Sequence, residues 1–310
     1  MPFQFDHLHT LTTLIDEGTF EAAARRLHVT ASAVSQRVRA MEQSTGKVLV
    51  QRTNPVRTTD AGDVVLRYAR QVLLLDADTA AELRLDGGDP DGGDPDGGGG
   101  GAGRVSVPLA VNADSLSTWF LDALADLPAE LGAVFEIHRE DEEHTTSLLR
   151  SGTVMAAVTS TPEAVQGCTV AGLGAMRYRA VCSPEFDARH LGGRADPELL
   201  PQAPVVNFDR RDDLQDRFVR ESARREPTGP RHYIPASEDF ARTVLLGFGW
   251  GVVPERQCAS EIAAGRLVEL APGHPVDVRL YWQRWNLRSP ALDRISEVVR
   301  AGAADRLHAF

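Results

Sequence analysis

Two short polar stretches hold the residues best suited to grip a charged small molecule. After the apolar run 105–111 come Asn112, Ala113, Asp114 and Ser115, with Ser117 and Thr118 in the next turn and a helical pattern from about Leu116. In an α/β sheet, ligands sit beyond the carboxyl ends of strands, where helix N-termini point. Free backbone N–H groups at Ser115, Leu116 and Ser117 would receive a carboxylate, and the serine hydroxyls add donors. Asp114 in the same loop suits an amino group. The same residue types also make an ordinary helix cap, since Asp and Ser are favoured there in any case.

A second apolar run, 134–138, leads into Glu140, Asp141, Glu142, Glu143 and His144 ahead of a helix from about Thr145. Consecutive carboxylates repel one another, which ordinarily marks a solvated edge, and acids at a helix start are favourable by themselves. A cation would relieve the repulsion. Carboxylate-receiving N–H groups beside a carboxylate cluster describe a zwitterion with an extra positive charge, that is, a basic amino acid.

Other chemistry has little to stand on. No G-x-S-x-G, H-E-x-x-H or Walker-type loop occurs, and Cys168, Cys182 and Cys258 are scattered without metal-ligand spacing. His138, Glu140, Glu142 and His144 offer a zinc or manganese set for an enzyme, but one strand cannot aim all four inward. No cofactor is expected. The cysteines read as reduced thiols of a cytoplasmic protein. No run approaches the ~18 apolar residues that span a bilayer, and the start lacks the basic and apolar regions of a signal peptide. A solute-binding protein with an accessory domain is therefore the weaker alternative.

A different chemistry resides near the N-terminus. The chain carries a formal net charge of -11, yet between Phe20 and Asp60 the cations Arg25, Arg26, Arg37, Arg39, Lys47, Arg52 and Arg57 outnumber Glu21, Glu42 and Asp60. A compact basic module on an acidic body suggests local contact with nucleic acid. Three helices fit this stretch. Leu8, Leu11, Leu14 and Ile15 face inward from the first, Ala22, Ala23 and Leu27 from the second, and Val34, Val38 and Met41 from the third. Thr30, Ala31, Ser32, Ser35, Gln36 and Arg39 remain on the outward side of the third helix, short donors and acceptors suited to phosphates and base edges in a major groove. After Gly46, "VLVQRTNPVRTTDAG" reads as a two-stranded wing whose Arg52, Asn54 and Arg57 reach backbone phosphates.

These residues need scaffolds. The helix-turn-helix and wing occupy residues 1–60. Residues 61–85 read as one linker helix with two adjacent apolar stripes, Val65, Tyr68, Val72 and Leu75 beside Leu66, Ala69, Leu73, Ala80 and Leu83. That width fits packing both on the preceding domain and on a second copy of the helix. Residues 86–103, "DGGDPDGGDPDGGGGGAG", have no side chains from which to build a core and read as a flexible tether. Beyond it, short apolar runs alternate with helical patterns, implying βαβ units and mostly parallel sheets in two α/β subdomains, 104–182 with 274–310 and 183–273.

The stretch "FEAAARRLHVTASAVSQRVRAMEQSTGKVLVQR" followed by "TTDAG" closely resembles the winged helix-turn-helix of LysR-type transcriptional regulators. The resemblance covers the whole chain. It implies a major-groove helix from about Ala31 to Ser44, a linker helix pairing two subunits, a dimeric or typically tetrameric assembly, and a two-subdomain effector region like a periplasmic binding protein. The Gly/Asp tether departs from the family's short hinge. "NADSLSTWF", "EDEEHT", "DDLQD" and "LYWQRWNLRSP" further resemble the branch that senses lysine and arginine and regulates basic amino-acid export or related metabolism. This resemblance implies effector contacts from Asp114, Ser115, Ser117, Thr118, Glu140, Glu142 and His144, and from Asp213, Gln215, Ser237 and Glu238 on the second subdomain, residues that plain capping and surface charge would also explain. The implied partners are double-stranded DNA, a lysine or arginine effector and RNA polymerase, with no membrane.

Overall fold

The computed structural model describes residues 3–83, 106–139 and 142–309. The tether 86–103 and Glu140 lie outside the described residues.

The N-terminal region is helical. Helix α1 (Phe5–Glu17) buries Leu8, Leu11 and Leu14, and it ends where the Gly18 N–H donates to the Leu14 carbonyl. Helices α2 (Phe20–Arg26) and α3 (Ala31–Thr45) each begin on a threonine cap: the Thr19 hydroxyl accepts from the Ala22 N–H, the Thr30 hydroxyl from the Ala33 N–H, both at 3.1 Å. Val34, Val38 and Met41 of α3 are fully buried, and the small Ala23 and Ala24 let α2 approach closely. Strands β1 (Val50–Gln51) and β2 (Arg57–Thr58) pair antiparallel as the expected wing. The Glu42 carboxylate fastens the wing to α3 by accepting from the Leu49 N–H at 2.9 Å.

Helix α4 (Asp60–Glu82) is the expected linker. The Thr59 hydroxyl caps it, accepting from the Gly62 N–H at 3.0 Å and donating to the Val48 carbonyl at 2.7 Å. A Cβ at Gly62 would stand 1.9 Å from the Leu49 carbonyl oxygen, so only glycine lets the helix begin against the wing. Val65, Leu66 and Ala69 pack into the N-terminal core. Further along, Leu74, which belongs to neither stripe read from the sequence, enters the core of the C-terminal region instead. Leu75 and Leu83 stay exposed.

Helix α4 also joins the two halves. The Arg70 guanidinium forms an ion pair with Asp16 of α1 and donates to the Gly152 carbonyl at 2.6 Å. Arg67 sits over Gly152, where a Cβ would lie 2.5 Å from the Arg67 Cα. Burial raises the Asp16 pKa above its ordinary value, and the adjacent Arg70 charge opposes the rise.

The C-terminal region is α/β. Its strands are β3 (Ser106–Val111), β4 (Val134–Arg139), β5 (Ala156–Thr159), β6 (Cys168–Cys182), β7 (Val205–Asn207), β8 (Arg231–Tyr233), β9 (Gly251–Pro254), β10 (Val268–Glu269) and β11 (Val276–Trp285). Seven of them form one sheet in the order β10-β6-β11-β5-β3-β4, with β9 also on β6. Strand β3 is parallel to β4 and β5, and β7 to β8, whereas β11 runs antiparallel to β5 and β6, and β6 antiparallel to β9 and β10. The sheets are thus mixed rather than mostly parallel. The reason is connectivity: β6 leads out toward β9 and β10, β11 leads back, and two strands crossing the same gap in opposite directions pair antiparallel. The apolar run 178–182 is only the end of β6, whose first ten residues are broken by Gly172 and Gly174 and lack the unbroken apolar pattern of a buried strand.

Candidate functional sites: the outward face of α3 and the cleft beyond β3

The first site is the outward face of α3 with the wing. Thr30, Ser32, Gln36 and Arg39 are exposed, and Ala31 and Ser35 are half-buried along the same face. Arg52, Asn54 and Arg57 are exposed on the wing, with the Arg52 guanidinium 5.3 Å from the centre of the Phe20 ring. That stacking holds the side chain beside α2 while leaving its N–H groups free to meet phosphate. Arg37 has a different task. It donates to the Thr10 hydroxyl at 3.0 Å and lies 3.7 Å from Asp6, bracing α3 against α1. The face is therefore rigid, cationic and polar, with short side chains flanked by arginines.

The second site lies where β3 ends. Strand β4 runs parallel to β3 with Arg139 opposite Val111, so the chain entering the helix Glu142–Ser151 leaves the sheet beside the Asn112 loop, as the apolar runs suggest. Asn112 is the helix cap: its side-chain oxygen accepts from the Ser115 N–H at 2.7 Å. Asp114 is thereby released from capping. One carboxylate oxygen accepts from the Ser237 hydroxyl at 2.6 Å and the other from the Tyr178 hydroxyl at 2.8 Å. The Ser117 hydroxyl lies 2.9 Å from Ser237 Oγ, and the Gln257 amide donates to both serines at 3.1 and 3.0 Å. Thr118 donates to the Asp114 carbonyl at 2.5 Å. Asp114, Ser117, Ser237 and Gln257 thus form a latch between the loop after β3 and helices far along the chain, Ser237–Leu245 and Glu255–Ala263.

Burial dominates the electrostatics of the two cleft carboxylates. Burial pushes the Asp114 carboxyl above its ordinary value, against the two hydroxyl bonds that favour its ionised form. Asp212 is likewise raised, chiefly by burial and further by the negative charge of Asp114, although it accepts from the Phe208 N–H at 2.7 Å and the Leu214 N–H at 3.2 Å. Neither carboxylate forms an ion pair among the described residues. The Ser115 hydroxyl is buried with no hydrogen-bond partner among the described residues, and so is the Gln257 side-chain oxygen.

Of the residues expected from sequence, the structure brings Asp114, Ser115, Ser117, Thr118 and Ser237 together. Gln215 is buried nearby and receives a long 3.5 Å bond from the Asn207 amide. Asp213 and Glu238 are exposed, and Asp213 lies 3.4 Å from Arg217 one helical turn on. Glu142 and His144 open the helix after β4, but their side chains lie outside the described set, as does Glu140 altogether. His138 lies 3.1 Å from Glu136, two positions away on the same face of β4. Among the described residues no group of three or more His, Cys, Asp or Glu is arranged to hold a metal. Sequence reading missed Tyr178, Asp212 and Gln257. Only Asp212 left a trace, in the doubled acid of "DDLQD"; Tyr178 lies inside a strand and Gln257 in an unremarkable helical turn.

Comparison with known proteins gives the same picture over both halves. Residues 5–63 match the model for the bacterial regulatory helix-turn-helix protein, lysR family, and residues 100–304 match that of the LysR substrate binding domain. The chain is 41% identical over 300 residues to the HTH-type transcriptional regulator LysG of Mycobacterium tuberculosis, covering 96% of this chain and 92% of that protein. It is 39% identical over 309 residues to the lysine export transcriptional regulatory protein LysG of Corynebacterium glutamicum, covering 99% of each. Among solved structures, ArgP from Mycobacterium tuberculosis superposes with a TM-score of 0.83 at 39% identity, over 98% of each chain. Full-length LysG from Corynebacterium glutamicum with bound effector Arg gives 0.75 at 37% identity, over 99% of this chain and all of that one (100%).

Proposed function

The chain belongs to the LysR family of bacterial transcriptional regulators, and we propose that it regulates basic amino-acid export or metabolism with lysine or arginine as its effector. One observation carries the effector assignment: Asp114 and Asp212 are enclosed carboxylates in a shared field, with no arginine or lysine bonded to either among the described residues. An ammonium or guanidinium entering the cleft supplies the missing charge, and the Ser115 hydroxyl serves the ligand's own carboxylate, the Ser115 and Leu116 N–H groups that the sequence offered being taken by Asn112. The bound effector Arg of the Corynebacterium glutamicum relative supports this choice.

In this reading Thr30, Ala31, Ser32, Ser35, Gln36 and Arg39 meet base edges and phosphates in the major groove, while Arg52, Asn54 and Arg57 meet the flanking backbone. Two copies pair through α4, with Leu75 and Leu83 in the seam, giving a dimer or tetramer on adjacent half-sites in the cytoplasm. The crossing strands β6 and β11 support a division into subdomains 104–182 with 274–310 and 183–273. Ligand between the subdomains favours one closure state, which changes promoter bending or polymerase access. Glu142 and His144, with Glu140, remain candidates for the ligand's charged end.

A thermal-shift screen of the twenty amino acids tests the effector. Lysine and arginine should stabilise the protein selectively, by about 2.7 kcal/mol at a hundredfold excess over Kd. Equal stabilisation by neutral amino acids, or none by either basic one, would remove the assignment.

A further inference from the structure

Beside the latch lies a second recess, and it is basic. It encloses about 160 Å³ and is lined by Thr118, Arg177 of β6, Glu255, Arg256, Arg306 and His308. A single water needs about 10–15 Å³ on this measure, so the recess has room for an ion of several heavy atoms. None of Asp114, Ser117, Tyr178, Ser237 or Gln257 lines it.

Its charges do not balance. Asp277 holds Arg177 through two bonds of 2.8 Å each. Glu255 is held on one oxygen by Arg179 and on the other by His308 Nε2 at 2.9 Å, and Arg179 reaches Glu269 at 2.8 Å. Glu255 is the one carboxylate among the described residues that line the recess, and those contacts occupy both of its oxygens. Arg256 and Arg306 form no ion pair among the described residues, and Arg306 gives one N–H to the Gly302 carbonyl of its own helix at 3.3 Å. A lone exposed arginine needs no explanation, because water solvates it. Two unpaired guanidinium groups around one concave recess are a different arrangement, since their planar forks match oxyanions and each raises the cost of leaving the other uncompensated.

We propose that this recess is a second ligand site, taking a small doubly charged oxyanion, a phosphate or a dicarboxylate, between Arg256 and Arg306. The site has a direct route to the cleft. Arg256 precedes Gln257 and Thr118 follows Ser117, so both sides of the recess share backbone with the latch that closes the cleft. An anion that draws Arg256 toward Arg306 therefore biases the same closure, and the two ligands influence each other's affinity equally.

Isothermal titration of the full-length protein with inorganic phosphate, and separately with succinate, tests this, with potassium chloride added to hold ionic strength constant. Saturable heat with either anion is expected, and the one that binds identifies the source. Arg256→Gln and Arg306→Gln should each weaken it about tenfold or more, the loss of one charge-assisted contact. Arg266→Gln, at an exposed arginine paired with Glu261 outside the recess, should bind as the parent does. Absence of saturable heat with both anions overturns the proposal, as do unchanged affinity in both recess variants or an equal loss in Arg266→Gln. The readout is anion heat alone, so its failure leaves the lysine or arginine assignment standing, and the failure of that assignment leaves this site intact.

Discussion

The face of α3 and the cleft after β3 use similar residues, serine, threonine, a glutamine and a charged group, to opposite ends. On α3 the polar side chains point outward and the apolar ones lock the helix from behind, so the chemistry is displayed on a rigid support. In the cleft they point at one another across a gap between distant parts of the chain: Ser237 and Gln257 bond to Ser117, and Ser237 to Asp114. The first surface is complete before its partner arrives. The second satisfies part of its own polarity internally, and among the described residues Asp114 and Asp212 form no ion pair. A reading head gains from rigidity, whereas a sensor needs a closure that a ligand can change.

The sharpest way to break that contrast is at Asp114. Asp114→Ala should cost lysine or arginine binding about 2–5 kcal/mol, the range for removing one partner of an enclosed charge pair. It should leave ligand-free DNA affinity unchanged, which calorimetry and a band-shift assay on one preparation measure together. The counterpart on the rigid side is Gly62→Ala. Its Cβ meets a backbone oxygen rather than a flexible side chain, so the N-terminal region should lose about 1–3 kcal/mol or more of stability in urea melts, with ligand binding retained. Next come the arginines proposed to meet DNA. Arg39→Ala should weaken operator binding by about 1–3 kcal/mol, and Arg57→Ala should lower the salt slope of binding by about one. Neither should alter effector heat.

The different legibility of the two regions follows from the same contrast. The reading face is local: Thr30, the inward Val34, Val38 and Met41, and the outward Gln36 and Arg39 recur at helical spacing within sixteen residues, so periodicity alone separates inside from outside. The cleft is assembled from residues 64 to 140 positions apart. Asp114 is legible because it follows the end of β3, yet nothing near Tyr178 or Gln257 marks them as its neighbours, since only the tertiary fold brings them there. Asp213 and Glu238 are plausible by type, but both are exposed, while Asp212 and Ser237 beside them are less so. The mixed sheet is illegible for a related reason: alternation reveals βαβ units, not long strands such as β6 and β11 that pair antiparallel.

Arg70 connects the two regions, touching α1 through Asp16 and the C-terminal region through the Gly152 carbonyl. Arg70→Ala should lower the coupling between effector and DNA by about 0.5–2 kcal/mol, while each ligand alone binds nearly as before. The smallest expected effect is on pH. Asp114 and Asp212 titrate above the ordinary 3.8 in the folded chain, so the folded state keeps protons that the unfolded chain releases. Stability should therefore fall as pH rises from 3.8 through the folded values and level off above them. Asp114→Asn should flatten that fall and raise the melting temperature of the ligand-free protein near neutral pH.

The most direct test of the account is a calorimetric titration of the full-length protein with arginine and with citrulline, which keeps the shape of arginine and removes its charge. The account predicts saturable binding of arginine, or of lysine in its place, and an affinity for citrulline lower by at least the 2 kcal/mol expected for an enclosed charge pair. Equal binding of citrulline, or no heat from either basic amino acid, would contradict it.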